Sequence, residues 1–428
     1  MRAVIVLWVA LNVMTACGRS PNRAQMHYDS AHSLALTGFI EDGLLKTTST
    51  DAAVIRAEIN RQLLYAIGQL NGLDGVGDHA NSLAKSIAIK SSHVLPEGGF
   101  LVTYTAQMTL SWSRRVSIPQ SLFLILPESV DFAFGMPQKY FDRYAVNACL
   151  DEATHSLGLG NFWYYVRPHQ VRCPLGRGPV PGDLTVRIPM RLAMSSINTE
   201  GKSPEYHKFW EDGRLVVSAV FSTYAPINDP SDVGVRQYGA FYRDMVLAFG
   251  PPVRSSADIP VMGPGREHPY VELEFKSSQG SIELYMFLVD GLVGNGAEFD
   301  RLLGDASLMS DIIMYHGHSG LGSNVRGLAQ KIRTKKDQYH LIVVNSCDTF
   351  AYMDDTLMLK HKSANPNATD YKFVDIITNA MPSSFANLAD TAMVITHAAV
   401  GQRQTYRQIL ARIDEDQHAS VMGEEDND

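Results

Sequence analysis

Cysteine is scarce in this chain, with four in 428 residues, too few for a small disulfide scaffold. No Cys-x-x-Cys or His-Glu-x-x-His pairing is present, so the sequence offers none of the fixed ligand spacings of a common zinc centre. Cationic charge is in the minority: 37 Lys and Arg against 45 Asp and Glu, a net charge of −8. Seven of those acids lie between Ile413 and Asp428, where there is no Lys or Arg, so the body without them stands at −1. That leaves no basic stripe of the kind a nucleic-acid partner requires. Nor is there a cofactor fingerprint, because Gly317, Gly320 and Gly322 fit neither common phosphate-loop spacing and no Lys follows them. The expectation is a protein without cofactor, metal or nucleic acid.

What is present begins with an export signal. Arg2 precedes an apolar stretch from Ala3 that ends in Met14-Thr15-Ala16-Cys17, a segment too short to serve as a membrane anchor. Met14 to Cys17 resembles a bacterial lipobox, which implies lipidation of Cys17, and Gly18 after it is compatible with outer-membrane or surface placement. Residues 1–16 are then a signal peptide and 17–50 a spacer. In an oxidising compartment an even pair of cysteines closes and an odd one stays free. Of the three remaining, Cys149 and Cys173 bracket one segment and are expected to pair, leaving Cys347 as a thiol.

Composition is ordinary globular material for two or three domains, 45% hydrophobic. Residues 51–205 read as a helix followed by a mostly β, disulfide-stapled domain. Asp51 caps a helix with Ile55, Ile59, Leu63, Ile67 and Leu70 on one face. Strands are expected at 83–89, 100–112, 122–126, 162–166 and 184–194. From 206 to 412 the texture becomes α/β: a strand at 215–222, a Ser231-capped helix at 232–249, strands at 270–275 and 282–289, and a last strand at 392–396 before a closing helix at 402–413. Alternation of this kind predicts a mainly parallel sheet with helices on both faces. Residues 413–428 read as an acidic disordered tail.

Two apolar runs in this half end in reactive side chains. Asp311 to Tyr315 leads into His316-Gly317-His318-Ser319-Gly320, and Leu341 to Val344 leads into Asn345-Ser346-Cys347-Asp348. Short apolar runs bounded by turn residues suit buried parallel strands, and ligands bind beyond the carboxyl ends of such strands. An imidazole and a thiol delivered there make a cysteine nucleophile with its base. The pattern resembles the caspase-like cysteine peptidases, closest to their gingipain-like branch: a strand ending in Tyr315-His316-Gly317-His318, a helix from Ser323 to Ile332, then a strand ending at Cys347. The resemblance covers about residues 210–412. It implies a Cys347–His318 dyad, with His316 as the alternative base, backbone N–H groups of Gly317 and Cys347 as the oxyanion hole, and a polypeptide substrate. Asp348, beside the nucleophile, is expected to raise the thiol pKa.

Two other readings stand beside it. Gly317-His318-Ser319 also resembles the nucleophile elbow of α/β-hydrolases, with Asp348 and His397 completing a triad, but Leu321 occupies the position of the last Gly. A caspase-like scaffold without activity is the other. The acids Asp354, Asp355 and Asp375 are candidates for a specificity pocket that spacing does not rank.

Overall fold

Apolar runs covered on both faces build the centre of the larger of two sheets. The computed structural model describes residues 26–72, 79–82, 84, 86–145, 149–151, 157–177, 184–225, 229 and 231–423, so the expected signal segment and Cys17 lie outside the described residues. Five parallel strands, Arg214–Ser222, Ser281–Val289, Ile312–His316, His340–Asn345 and Val374–Asn379, form the centre of this sheet. Their side chains alternate between two cores. Leu215, Val217, Ile312, Met314, Leu341 and Val343 face one layer, while Val216, Val220, Ile313, Tyr315, Ile342 and Val344 face the other. A period of two with both faces apolar is why these strands read as unbroken hydrophobic runs. Antiparallel strands close both borders, Tyr270–Lys276 and Arg254–Ser255 on one side, Ala419–Gly423 and His27–Ser30 on the other. The sheet is therefore mixed, not mainly parallel.

Helix Val233–Phe249 covers the first face with Val235, Tyr238, Phe241 and Met245, beside helix Leu388–His397. Its cap is Asp232 and not Ser231: the carboxylate accepts from the N–H groups of Gly234 at 2.8 Å and Val235 at 3.2 Å. The second face is covered by helices Gly296–Ser307 and Ser323–Lys331, and its core runs on without a break into the N-terminal half.

That half is a smaller antiparallel sheet, with strands in the order His79–Asn81, Phe100–Ser113, Ser33–Thr47, Thr185–Met194, Ser121–Pro127, and Ser86–Val94 also paired to Phe100–Ser113. Asp51 caps helix Ala52–Leu63 as its sequence predicts, and Tyr65–Asn71 continues it, laying Ile59, Leu63, Ile67 and Leu70 into the core. Gln62 Nε2 pins the helix to two strands through the carbonyls of Leu44 at 2.9 Å and Pro127 at 2.7 Å.

Four expectations are corrected. Residues 27–47, read as spacer, form two strands; a β-bulge between Ile40 and Gly43 shifts the register there and breaks the alternation that marks a strand. Phe162–Tyr165 is a helical turn, because Phe162 packs edge-on to Tyr140 and Tyr65 and tertiary packing overrides aromatic β-propensity. Residues 392–396 lie inside helix Leu388–His397, buried on nearly every side, where period is no guide. In the acidic tail, Ala419–Gly423 is a fully buried strand paired on both edges.

A chain ending after Asp416 is thus expected to lose on the order of 3 kcal/mol or more, from the burial of Val421, Met422 and Ala419. Chemical denaturation would register this as a lower midpoint. An unchanged midpoint would mean the tail is a solvated appendage after all.

Candidate active site

The order of the central strands opens a crevice at one place. From Arg214–Ser222 the chain goes to Ser281–Val289 on one side, then crosses back to Ile312–His316 on the other and continues outward through His340–Asn345. Loops leaving the carboxyl ends of Arg214–Ser222 and Ile312–His316 diverge at this switch point, where open α/β sheets bind ligands. A cavity of about 460 Å³ lies there, and Tyr224, His318 and Cys347 line it together.

The His-bearing strand passes its neighbour closely. A Cβ at Gly317 would stand 1.9 Å from Ser222 Oγ, so only glycine fits. The Gly317 N–H continues the ladder by donating to the Asn345 carbonyl at 3.1 Å. The His318 carbonyl then accepts from Tyr315 Oη at 2.7 Å and Asn324 Nδ2 at 2.8 Å. Its ring lies against Phe385 at 4.6 Å and Tyr224 at 5.6 Å, with Nε2 2.7 Å from the Tyr224 carbonyl oxygen. A carbonyl only accepts, so Nε2 carries the proton and Nδ1 is left as the basic nitrogen.

His316 has a different environment. It is fully buried, stacked on Phe221 at 5.0 Å, with Nδ1 3.3 Å from Asn345 Nδ2. Burial pushes its pKa down to about 3. It is a neutral core imidazole outside the cavity lining, and the alternative base falls away.

Cys347 follows the neighbouring strand, free and partly exposed. Asp348 turns the chain in the left-handed region (φ 53°) and starts helix Thr349–Tyr352. Its carboxylate is fully buried and accepts from Asn71 Nδ2 at 2.6 Å and from the Tyr164 hydroxyl. Burial raises the Asp348 pKa to about 6 against the pull of those donors. A carboxyl raised on folding stabilises the native state in acid and loses that contribution as pH climbs through about 6. Above it the ionised group acts on its neighbour. Burial first, and Asp348 second, push the Cys347 thiol up to about 12, with a hydrogen bond from the Ser383 backbone working the other way.

The opposite wall comes from the N-terminal half. Cys149 and Cys173 form a disulfide with Cα atoms 4.6 Å apart, worth about 3 kcal/mol for a loop of this length. It brackets two short segments lying side by side, where the Asp151 backbone N–H donates to the Tyr165 carbonyl at 2.9 Å and the Arg167 backbone N–H to the Cys149 carbonyl at 2.6 Å. Asp151, Tyr164, Tyr165 and Arg167 thereby reach the cavity. The guanidinium is spent within the loop, on Asp151 at 2.6 Å and the Tyr164 carbonyl at 2.7 Å. Sequence reasoning missed these four, and the one signal for them was the cysteine pair around their segment.

The pocket acids named from sequence lie elsewhere. Asp375 is buried against Tyr339, at 2.7 Å, and Tyr406, and Asp354 accepts from the Thr356 N–H at 2.9 Å; neither these nor Asp355 line the cavity. Ser319 does line it, but His397 packs on Phe249 at 5.7 Å and faces a different cavity with Asp244 and Asp390. The serine triad is not assembled.

No family model, curated protein or solved structure matches the chain. Among the described residues no helix is long and apolar enough to cross a membrane.

Because the resting thiol is held protonated, alkylation of Cys347 by iodoacetamide is expected to keep rising beyond pH 9 without a plateau. Asp348→Asn removes a charge beside the sulfur while keeping the side-chain shape, and should speed the reaction at pH 8 about tenfold. A plateau near pH 7, or no acceleration in the variant, would show that Asp348 does not govern the thiol.

Proposed function

We propose that the chain is a caspase-like cysteine endopeptidase, exported and held at a bacterial membrane surface by lipid on Cys17. The observation that carries the peptidase reading is the Tyr224 carbonyl on His318 Nε2, which leaves Nδ1 as a base in the cavity that holds the only free thiol among the described residues. Cys347 Sγ attacks the scissile carbonyl carbon as its proton passes to His318 Nδ1. The imidazolium returns that proton to the departing amine, leaving a thioester that water, deprotonated by the same nitrogen, hydrolyses. The raised thiol pKa favours transfer during attack over a preformed ion pair. With the Gly317 N–H engaged by Asn345, the Cys347 N–H is the remaining member of the expected oxyanion pair. The substrate is a polypeptide entering between the two halves.

Cys347→Ala is expected to abolish peptide hydrolysis, and His318→Ala to lower it roughly 10²- to 10⁴-fold. Ser319→Ala should be mild by comparison. Loss of activity in Ser319→Ala with retention in Cys347→Ala would instead support a serine hydrolase. A scaffold is the second reading, favoured by the protonated thiol, and it holds if wild type and Cys347→Ala behave alike toward every peptide and thiol-directed probe.

Attachment rests on the lipobox-like segment. Replacing Cys17 with Ser is expected to release the protein from the membrane fraction, since lipid chains supply most of the anchoring free energy. Detergent-dependent retention of the variant would count against lipidation.

A further inference from the structure

The wall that the N-terminal half brings to the cavity has a composition of its own. Tyr164 and Tyr165 stand on it, with ring centroids 5.0 Å apart. Leu321, Tyr224, Pro382 and Phe385 face them from the α/β half. The lining has one acidic and one basic side chain, Asp151 and Arg167, and they are ion-paired to each other at 2.6 Å with the Arg side chain 6% exposed. A buried guanidinium committed to one carboxylate and one carbonyl has little left for a substrate carboxylate. The carboxylate it holds is likewise a poor partner for an incoming cation, because taking it would strand the Arg167 charge. What the cavity offers is therefore uncharged and largely aromatic surface, in a volume of about 460 Å³ that accommodates a large side chain together with its backbone.

We infer that Asp151, Tyr164, Tyr165 and Arg167, held by the Cys149–Cys173 disulfide, form one wall of a substrate pocket built for a large uncharged side chain, aromatic or branched aliphatic, next to the scissile bond. This rests on the cysteine-peptidase reading. It makes the N-terminal half a part of the binding site, with Tyr165 a specificity-determining residue. Burying an aromatic side chain against these rings gains area and edge-to-face contacts, whereas a Lys, Arg or Asp side chain must be desolvated with no free counter-charge on the wall.

The test uses the full chain and a panel of peptidyl acyloxymethyl ketones that differ only in the residue beside the ketone: Phe, Leu, Ala, Asp, Lys and Arg. In labelling, the Cys347 sulfur forms a bond to the ketone's methylene carbon as the acyloxy group leaves with the electron pair as a carboxylate, and the thiol proton goes to His318. Labelling rates, with the modified residue mapped by mass spectrometry, are expected to favour Phe and Leu over Asp, Lys and Arg by about tenfold or more. Tyr165→Ala should bring the Phe-to-Ala ratio toward one. A preference for any charged residue, equal rates across the panel, or full selectivity in Tyr165→Ala would overturn the inference while leaving the peptidase reading intact. If iodoacetamide modifies Cys347 and no ketone does, the peptidase reading fails and this inference fails with it.

Discussion

A carboxylate buried beside a free thiol is the constraint around which this molecule is arranged. Asp348 is fully enclosed and held in a left-handed turn directly after Cys347. A buried carboxylate without donors costs several kcal/mol, and its two donors, Asn71 and Tyr164, come from the other half of the chain. The reactive loop of the α/β half therefore reaches this conformation only with the N-terminal half docked. The continuous core that joins the two halves, running from Ile59 and Leu63 to Tyr315 and Val344, serves the same end.

The same contact shapes the chemistry. Burial first, and then the ionised form of Asp348 that Tyr164 and Asn71 favour, keep the thiol protonated. On the proposed mechanism, the thiol stays protonated until a substrate carbonyl reaches the sulfur and His318 takes the proton. A carbonyl in place of a carboxylate behind the imidazole fixes the tautomer without stabilising an imidazolium by full charge. In that respect the proposed dyad is weaker at rest than an ion pair, and in the proposed mechanism the N-terminal wall, which lines the same cavity, helps to bring substrate into place.

The parallel centre and the two reactive strand ends were legible because their residues obey a local rule: Ile312 to Tyr315 and Leu341 to Val344 are apolar on both faces and stop at Gly or polar turns. The Cys149–Cys173 pair followed from counting. What stayed hidden depended on partners distant in sequence. Ala419–Gly423 looks like part of an acidic tail until it is paired with Ile376–Asn379 and His27–Ser30. Ser33–Thr47 is masked by its own bulge. Asp151 and Arg167 carry no motif, since their meaning comes from a disulfide that folds their loop over a cavity in the other half. The choice between His316 and His318 was open for a similar reason: the strand ends at His316, the pleat sets no direction for His318 beyond it, and only the packing of Phe221 on His316 shows which of the two is core.

A crystal structure of the protein inactivated by a peptidyl ketone tests the central claim most directly. The account predicts a thioether on Cys347 Sγ, His318 Nε2 still on the Tyr224 carbonyl with Nδ1 toward the reacting centre, and the neighbouring side chain against Tyr165. Attachment at Ser319, or a ligand lying away from the His318 ring, would contradict it.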